Sequence, residues 1–531
     1  MKIRLMKATE DERPIDQRLR RRRFLGAIAA GCTAGVAGCA EGASDDIDGE
    51  TVTIVPPSNP ADSDDQWERW SGMTPYWTRV VEPLVWGTKE MHAKPWLATD
   101  WELTDDTTWV FELREGVTFH NGAEMTADDV VHSYENDILE RYGDFVYGWL
   151  HLEPGSVEKI DDYTVEFTNT EPFPDFPGTI GHNMLDVHPP SADPWNGDVI
   201  GTGPFTLEDV EDGQYVELGT HDDYWGGDVA PDGLTVRAAE DETTRTNLLE
   251  SGDADVVLEP SKPRLTSLRR SDEFVVETQQ SSGSTFVSFN LYEEPTDDAD
   301  LRRALNYAVS QSEIVEEALG GLGRPASGPI STVIDWAADD ELPDYERDHE
   351  TARELVADSS YDGEELTCLV RGDQDDDDLI AQILQSEFDA VGVDLDIELL
   401  ERAAYQDRTG RGEFHLAIDG TQSNSPGADY IMWENFHSRG VDNIDLYEAD
   451  GTGLHNLGGE VDDLIETGFQ SNDPEQRHEA YVEAQRRIVE EAVVIPITYR
   501  EYAVAMDATI EGVELHPIDR LLEWRSLRRS Q

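Results

Sequence analysis

The chain has 531 residues, with 114 Asp and Glu against 40 Lys and Arg, for a formal net charge of -74. A field of that sign excludes nucleic acid and anionic lipid surfaces as partners. With 38% hydrophobic residues, 13 Trp, 17 Tyr and 15 Phe, the chain is also not a disordered acidic tract.

After residue 38 the only lysines are Lys89, Lys94, Lys159 and Lys262, so arginine carries nearly all the positive charge. That bias, with acid spread along the chain, fits a halophile: in molar salt the Debye length falls to about 3 Å, which screens repulsion among surface carboxylates.

Arg20 to Cys39, "RRRRFLGAIAAGCTAGVAGC", has the layout of an export signal. Its apolar run is too short, and too rich in Ala and Gly, for a permanent membrane span. Arg21-Arg22-Arg23-Phe24-Leu25 matches the twin-arginine pattern, which serves proteins exported already folded. Val36-Ala37-Gly38-Cys39 reads as a lipobox with Cys39 the lipidated first mature residue, and Ala29-Ala30-Gly31-Cys32 is a poorer match. The expectation is a signal over 1–38, an acidic tether over 39–50, and a soluble body lipid-anchored at the outer face of the membrane. The alternative is an unprocessed hydrophobic anchor. Beyond Cys39 the one cysteine is Cys368, inside the apolar run "LTCLV", so neither an intramolecular disulfide nor a cysteine metal site is expected.

From "TVTIV" (51–55) strand and helix signals alternate without a repeat. "WVFELREGVTF" sets Trp109, Phe111 and Leu113 on one side of a strand. Thr126-Ala127-Asp128-Asp129 resembles a capping box that opens a helix, "ADDVVHSYENDILERY". Short strands follow at "YTVEF" and "YVELG". "STFVSFNL" (284–291) is a strand that leads to two helices, the second opened by Ser310-Gln311-Ser312-Glu313 and stopped by Gly320-Gly321. "ELTCLVRG", "DLIAQILQSEFDAVG" and "VDLDIELL" read as strand, helix and strand, a βαβ unit with parallel strands and a right-handed crossover. Asp473-Pro474 starts a helix, and "VVIPITY" returns as a strand. The order points to α/β or α+β lobes, and about 490 residues imply more than one core.

Arg371 ends the first strand of the βαβ unit, where ligands collect in open α/β sheets and a guanidinium grips a carboxylate bidentately. An ion pair with the run Asp373 to Asp378 is the plainer alternative, and that run lacks the glycine and terminal glutamate of a calcium loop. "GTGPF" (201–205) and "GGLGR" (320–324) are loops without a phosphate-cradle pattern. There is no HExxH, no GxSxG and no clustered histidine, so no catalytic residue, metal site or cofactor is expected. Trp67, Trp70, Tyr76, Trp77 and Trp86, like Tyr430 and Trp433, suit a ligand cleft or core packing equally well.

Taken together, "PWLATDWELTDDTTWVFELREGVTFHNGAEMTADDVVHSYEN" (95–136), "GTGPFTLEDVEDGQYVELGTHDDYWGG" (201–227), "TTRTNLLESGDADVV" (243–257) and "FNLYEEPTDDADLRRALNYAVSQSEIVEEALGGLGRPASGP" (289–329) resemble the family 5 extracellular solute-binding proteins of ABC transporters, the dipeptide, oligopeptide and nickel group. The resemblance covers about 51–515. It implies a two-lobed periplasmic-binding-protein-like α/β fold, type II of the large oligopeptide-binding cluster, with an interlobe ligand cleft. A discontinuous first lobe is placed at 51–283 plus 498–531 and the second at 284–497. It implies a monomer that is no enzyme, captures peptides and delivers them to a membrane permease and, through it, an ATPase. Nickel, a nickel chelate or another small solute is the alternative ligand, and a ligand sensor the alternative role.

The resemblance places Arg371 where dipeptide-binding members hold the peptide's terminal carboxylate. The family's G-W-x-x-D becomes Gly420-Thr421-Gln422-Ser423-Asn424, so the aspartate that pairs with a peptide's ammonium is replaced by uncharged Asn424. Asp429, five residues on, is expected either to take over that role or to cap a loop. Arg371, Asn424, Asp429, Trp433 and Gly203 are the candidate ligand-binding residues.

Overall fold

The computed structural model describes residues 51–58, 77–182, 184–192, 199–211, 213–372, 376–440, 443, 454–455, 457–518 and 523–530. The export signal, Cys39, the tether, Trp67, Trp70 and Tyr76 lie outside the described residues.

Strand β1 (Thr51–Val55) buries Val52, Ile54 and Val55, as its apolar sequence requires. Four strands, β2 (Ala98–Leu103), β3 (Thr108–Leu113), β4 (Val157–Asp161) and β5 (Thr164–Thr168), then form a separate antiparallel sheet in the order β2-β3-β5-β4. Between β3 and β4 the capping box forms: Thr126 N–H donates to Asp129 Oδ2 at 2.8 Å at the start of α1 (Ala127–Val131). The helix expected to stop near Tyr142 widens into a π-helical stretch, His132–Ile138, and continues as α2 (Leu139–Leu150), which is kinked at Gly143 (φ 43°), just past the expected end. Ser133 Oγ donates to Asp129 O at 2.9 Å, a side-chain bond that competes with the regular helical ladder.

The main strands that follow are β6 (Phe205–Glu211), β7 (Tyr215–Thr220), β8 (Gly233–Arg237), β9 (Val256–Leu258), β10 (Phe274–Phe289), β11 (Leu366–Arg371), β12 (Leu395–Leu400), β13 (Leu416–Gln422) and β14 (Val494–Asp507). They join β1 in one large sheet ordered β6-β7-β8-β1-β9-β14-β10-β13-β11-β12. The predicted helices appear as α3 (Ala299–Ala308), α4 (Gln311–Glu317), α5 (Asp377–Val391) and α7 (Pro474–Glu490), with α6 (Gly459–Gln470) before the last. Ser310 Oγ accepts the Glu313 N–H at 3.3 Å, and Gly320 and Gly321 take φ of 62° and 78°, values that suit glycine after a helix. Strands β11 and β12 are parallel with α5 between them, as the periodicity requires. Cys368 is fully buried there, and burial pushes its thiol up to about 12.

Separate apolar cores follow from this layout. One fills the small sheet and α2, a second lies under β1, β8 and β9, and a third joins β11, β12, α3 and α5. The two ends of the large sheet are linked by β10 and β14, paired antiparallel from Phe274 opposite Asp507 to Ser288 opposite Val494. Their register breaks between Gln280 and Ser284, and again between Thr285 and Phe286. An alanine Cβ at Gly283 would lie 2.2 Å from Arg500 Nη2, so the glycine leaves room for that side chain to cross between the strands.

Candidate functional site

A cavity of about 460 Å³ opens where the two ends of the large sheet face each other. Trp86, Met91, Glu240, Glu259 and Lys262 line it on one side; Arg371, Asp376, Asp377, Asp419 and Asn424 line it on the other, and Thr498 and Arg500 come from β14. The β11 strand ends at Arg371, and α5 begins six residues later with Asp377, so sequence order alone brings a cation beside a carboxylate.

Arg371 Nε stands 3.8 Å from Asp377 Oδ2, and its guanidinium lies 5.9 Å from the centre of the Tyr405 ring. The ring is fixed from behind, because Tyr405 Oη donates to Ile418 O at 2.9 Å. Burial pushes Asp377 up to about 7 although Arg371 pulls the other way. Arg371 is thus ion-paired with Asp377 of the acidic run and also lines the cavity.

Asp419 was not singled out by sequence. Strands β11 and β13 run parallel with Cys368 opposite Leu416 and Leu369 opposite Ala417. Continuing that register two residues sets Arg371 beside Asp419, on strands about 4.8 Å apart. Asp419 Oδ1 accepts the Gly420 N–H at 2.8 Å. Burial raises its pKa, while Arg371, that backbone bond and Arg500 oppose the rise. Arg500 in turn donates from Nη2 to Thr421 O at 3.0 Å. Across the cavity Lys262 pairs with Asp376. Arg245 belongs to the scaffold, since its guanidinium donates to the carbonyls of Leu258, Glu259, Ala239 and Glu240.

The other candidates are placed elsewhere, and Gly203, Asp429 and Trp433 do not line this cavity. A Cβ at Gly203 would fall 2.4 Å from Arg79 O, and the Gly203 carbonyl accepts from His120 and His221 at 3.1 Å each, so the glycine serves close backbone packing. Trp433 stacks on His437 with ring centres 4.0 Å apart and lies 5.5 Å from Phe469. Asp429 is buried at the start of a π-helical turn, Tyr430–Glu434, beside Asp175 and Arg477. Of the sequence candidates, Arg371 and Asn424 are brought together; Asp419, Arg500 and Lys262 are added.

No group of three or more His, Cys, Asp or Glu with metal-holding geometry occurs among the described residues, and no helix among them is long and apolar enough to cross a membrane.

A two-lobed α/β fold with a charged cavity between its lobes defines the periplasmic-binding-protein class of solute binders. Residues 92–443 match the family described as "Bacterial extracellular solute-binding proteins, family 5 Middle", and the chain belongs to that family. It is 26% identical over 456 residues to "Heme-binding protein A" of Haemophilus influenzae, covering 80% of this chain and 82% of that protein. It is 25% identical over 466 residues to "Probable D,D-dipeptide-binding periplasmic protein DdpA" of Escherichia coli, covering 85% and 87%. Its fold is similar to that of the periplasmic binding protein DppA of Helicobacter pylori in complex with the peptide STSA, with a TM-score of 0.75, 22% identity, and 91% and 98% of the two chains covered.

Proposed function

We propose that this protein is the extracellular, lipid-anchored solute-binding component of an ABC importer, that it captures peptides, and that it hands them unaltered to a membrane permease. The observation that carries the peptide reading is Arg371: a guanidinium at the carboxyl end of a parallel strand, lining a cavity built from both ends of the sheet. A terminal carboxylate fits that fork bidentately. The names of two similar proteins, DdpA of Escherichia coli and DppA of Helicobacter pylori, point the same way. Anchoring rests on the twin-arginine and lipobox patterns ending at Cys39.

The cavity closes around its ligand because a solute that touches both lobes favours the shut form by the contacts it makes only there. The lobes are proposed to divide at 283/284 and 497/498, where the paired strands β10 and β14 lose register and so bend most readily. Mass spectrometry of the solute released from protein purified gently in high salt tests the reading: short peptides of unchanged covalent structure are expected, whereas a bound metal chelate or haem would replace peptide as the ligand.

A further inference from the structure

Beside the cavity, the fold brings together three charged groups that ligand capture does not itself require. We propose that Asp175, carried by the first lobe, docks on Arg477 and Asp429 of the second as a proton-coupled latch, so that closing over a ligand takes up a proton from solvent and binding weakens as pH rises. The proposal rests on the lobe division and closure proposed above and adds their control by pH.

The contact joins segments far apart in sequence. Asp175 precedes the short helix Phe176–Thr179 in the first lobe; Arg477 lies in α7 and Asp429 opens the π-helical turn Tyr430–Glu434, both in the second. Arg477 Nη1 donates to Asp175 Oδ1 at 2.9 Å and Nη2 donates to Oδ2, a bidentate grip across the lobes. Arg477 Nε donates to Gly468 O at 2.8 Å, which fixes the guanidinium within its own lobe.

Asp429 is the second carboxylate at this arginine. It is 3% exposed, and its Oδ1 accepts no hydrogen bond among the described residues, a position that favours the neutral acid. A Cβ on Gly427 would stand 1.8 Å from that oxygen and 2.9 Å from Asp175 Oδ2, so the glycine lets the two carboxylates approach each other. Tyr481, on α7, is the other titratable group facing them. Of the groups nearby, Glu171 accepts from Gln470 Nε2 at 2.7 Å, and burial lowers the pKa of His151, which packs on Phe469. Arg477 thus balances one of two negative charges, and a proton on Asp429 removes the other.

When the lobes part, Asp175 leaves with the first, and Asp429 has Arg477 to itself. Losing a like-charged neighbour and gaining an unshared counter-charge both lower its pKa. The shut form, in which burial and Asp175 push Asp429 up to about 7, therefore holds the proton more tightly than the open one. Closure is favoured at acid pH, and that advantage is lost as pH rises through about 7. The latch and the ligand share one motion, because Gly178 and Pro426, on the segments that carry the two carboxylates, both line the cavity.

Calorimetry with Ala-Ala in molar KCl, in buffers of different ionisation enthalpy, tests the latch in wild type, Asp429→Asn and Asp175→Asn. Wild type is expected to lose about tenfold in affinity between pH 6 and 8 and to take up a proton on binding at pH 6. Asp429→Asn should bind equally well at both pH values and take up no proton. Asp175→Asn should bind more weakly at pH 6 with a flattened profile, and it decides the matter if circular dichroism shows that Asp429→Asn does not fold. A wild-type affinity that is flat from pH 6 to 8 overturns the proposal and leaves the peptide reading standing. So does a pH dependence retained in Asp429→Asn, which assigns it to another group, such as His92 beside Asp335. If Ala-Ala does not bind, the peptide reading is at fault, and the latch is judged without ligand from the distance between spin labels at Asp253→Cys and Glu354→Cys, exposed positions one on each lobe. A shorter distance at pH 6 than at pH 8, abolished by Asp429→Asn, is then expected; equal distances overturn the proposal.

Discussion

Arg371 faces two carboxylates of the cavity wall, Asp377 and Asp419. It offsets Asp377 at 3.8 Å and opposes the upward pKa shift of Asp419, so its removal leaves neighbouring carboxylates without that counter-charge. Truncating one partner of a buried charge pair costs about 2–5 kcal/mol. Arg371→Ala should therefore weaken peptide binding by ~2–5 kcal/mol in molar salt, read by calorimetry; unchanged affinity removes Arg371 from the site. This residue was legible in sequence because periodicity fixes it at the end of a strand that starts a βαβ unit and the family resemblance places it where dipeptide-binding members hold a carboxylate. Asp419 was not, because its position beside Arg371 comes from pairing between strands 48 residues apart, which no local pattern encodes. Arg500 was hidden for the same reason, as its bond to Thr421 O spans 79 residues.

At the scale of elements, α7 is tied to the segment that follows β5. Arg477 donates to Asp175 Oδ1 at 2.9 Å and lies over the Trp336 ring at 4.4 Å. Gln470 of α6 donates to Glu171 Oε2 at 2.7 Å nearby. Asp429 faces the same arginine and Tyr481, and its Oδ1 accepts no hydrogen bond among the described residues. Burial, with Asp175 beside it, pushes Asp429 up to about 7.

An unfolded Asp titrates near 3.9, so between about pH 4 and 7 the folded state holds a proton that the unfolded state has released. The stability this supplies is complete below about pH 4 and is lost as pH rises through 7. Asp429→Asn should flatten the fall in stability between pH 5 and 7.5 by up to ~1.4 kcal/mol per pH unit, measured by chemical denaturation. A wild-type slope retained in the variant would place that titration on another group. The elements themselves were read well where apolar periodicity was strong, as in α5, β11 and β12. The first half of β10, "FVVETQQSSG", was missed because its polar residues gain their place by pairing with β14, not by burying an alternating face.

For the whole molecule, the shape of the sheet explains why one cavity serves both ends. Strands β10 and β14 pair along the junction between the two ends of the sheet, and the cavity lies beside them. Under the proposed division into lobes, the ion pair of Lys262 with Asp376 and the hydrogen-bond contact of His92 with Asp335 at 2.8 Å join the two lobes and would part on opening. With a net charge of -74 the two ends repel, and molar salt shortens that repulsion to about 3 Å, so the opening equilibrium belongs in molar KCl. Small-angle scattering there, with and without a saturating dipeptide, is the most direct measurement of the central claim that two lobes shut on one small solute. A smaller radius of gyration with ligand, restored on its removal, is the predicted result; an identical profile with a ligand that calorimetry shows to be bound would contradict it.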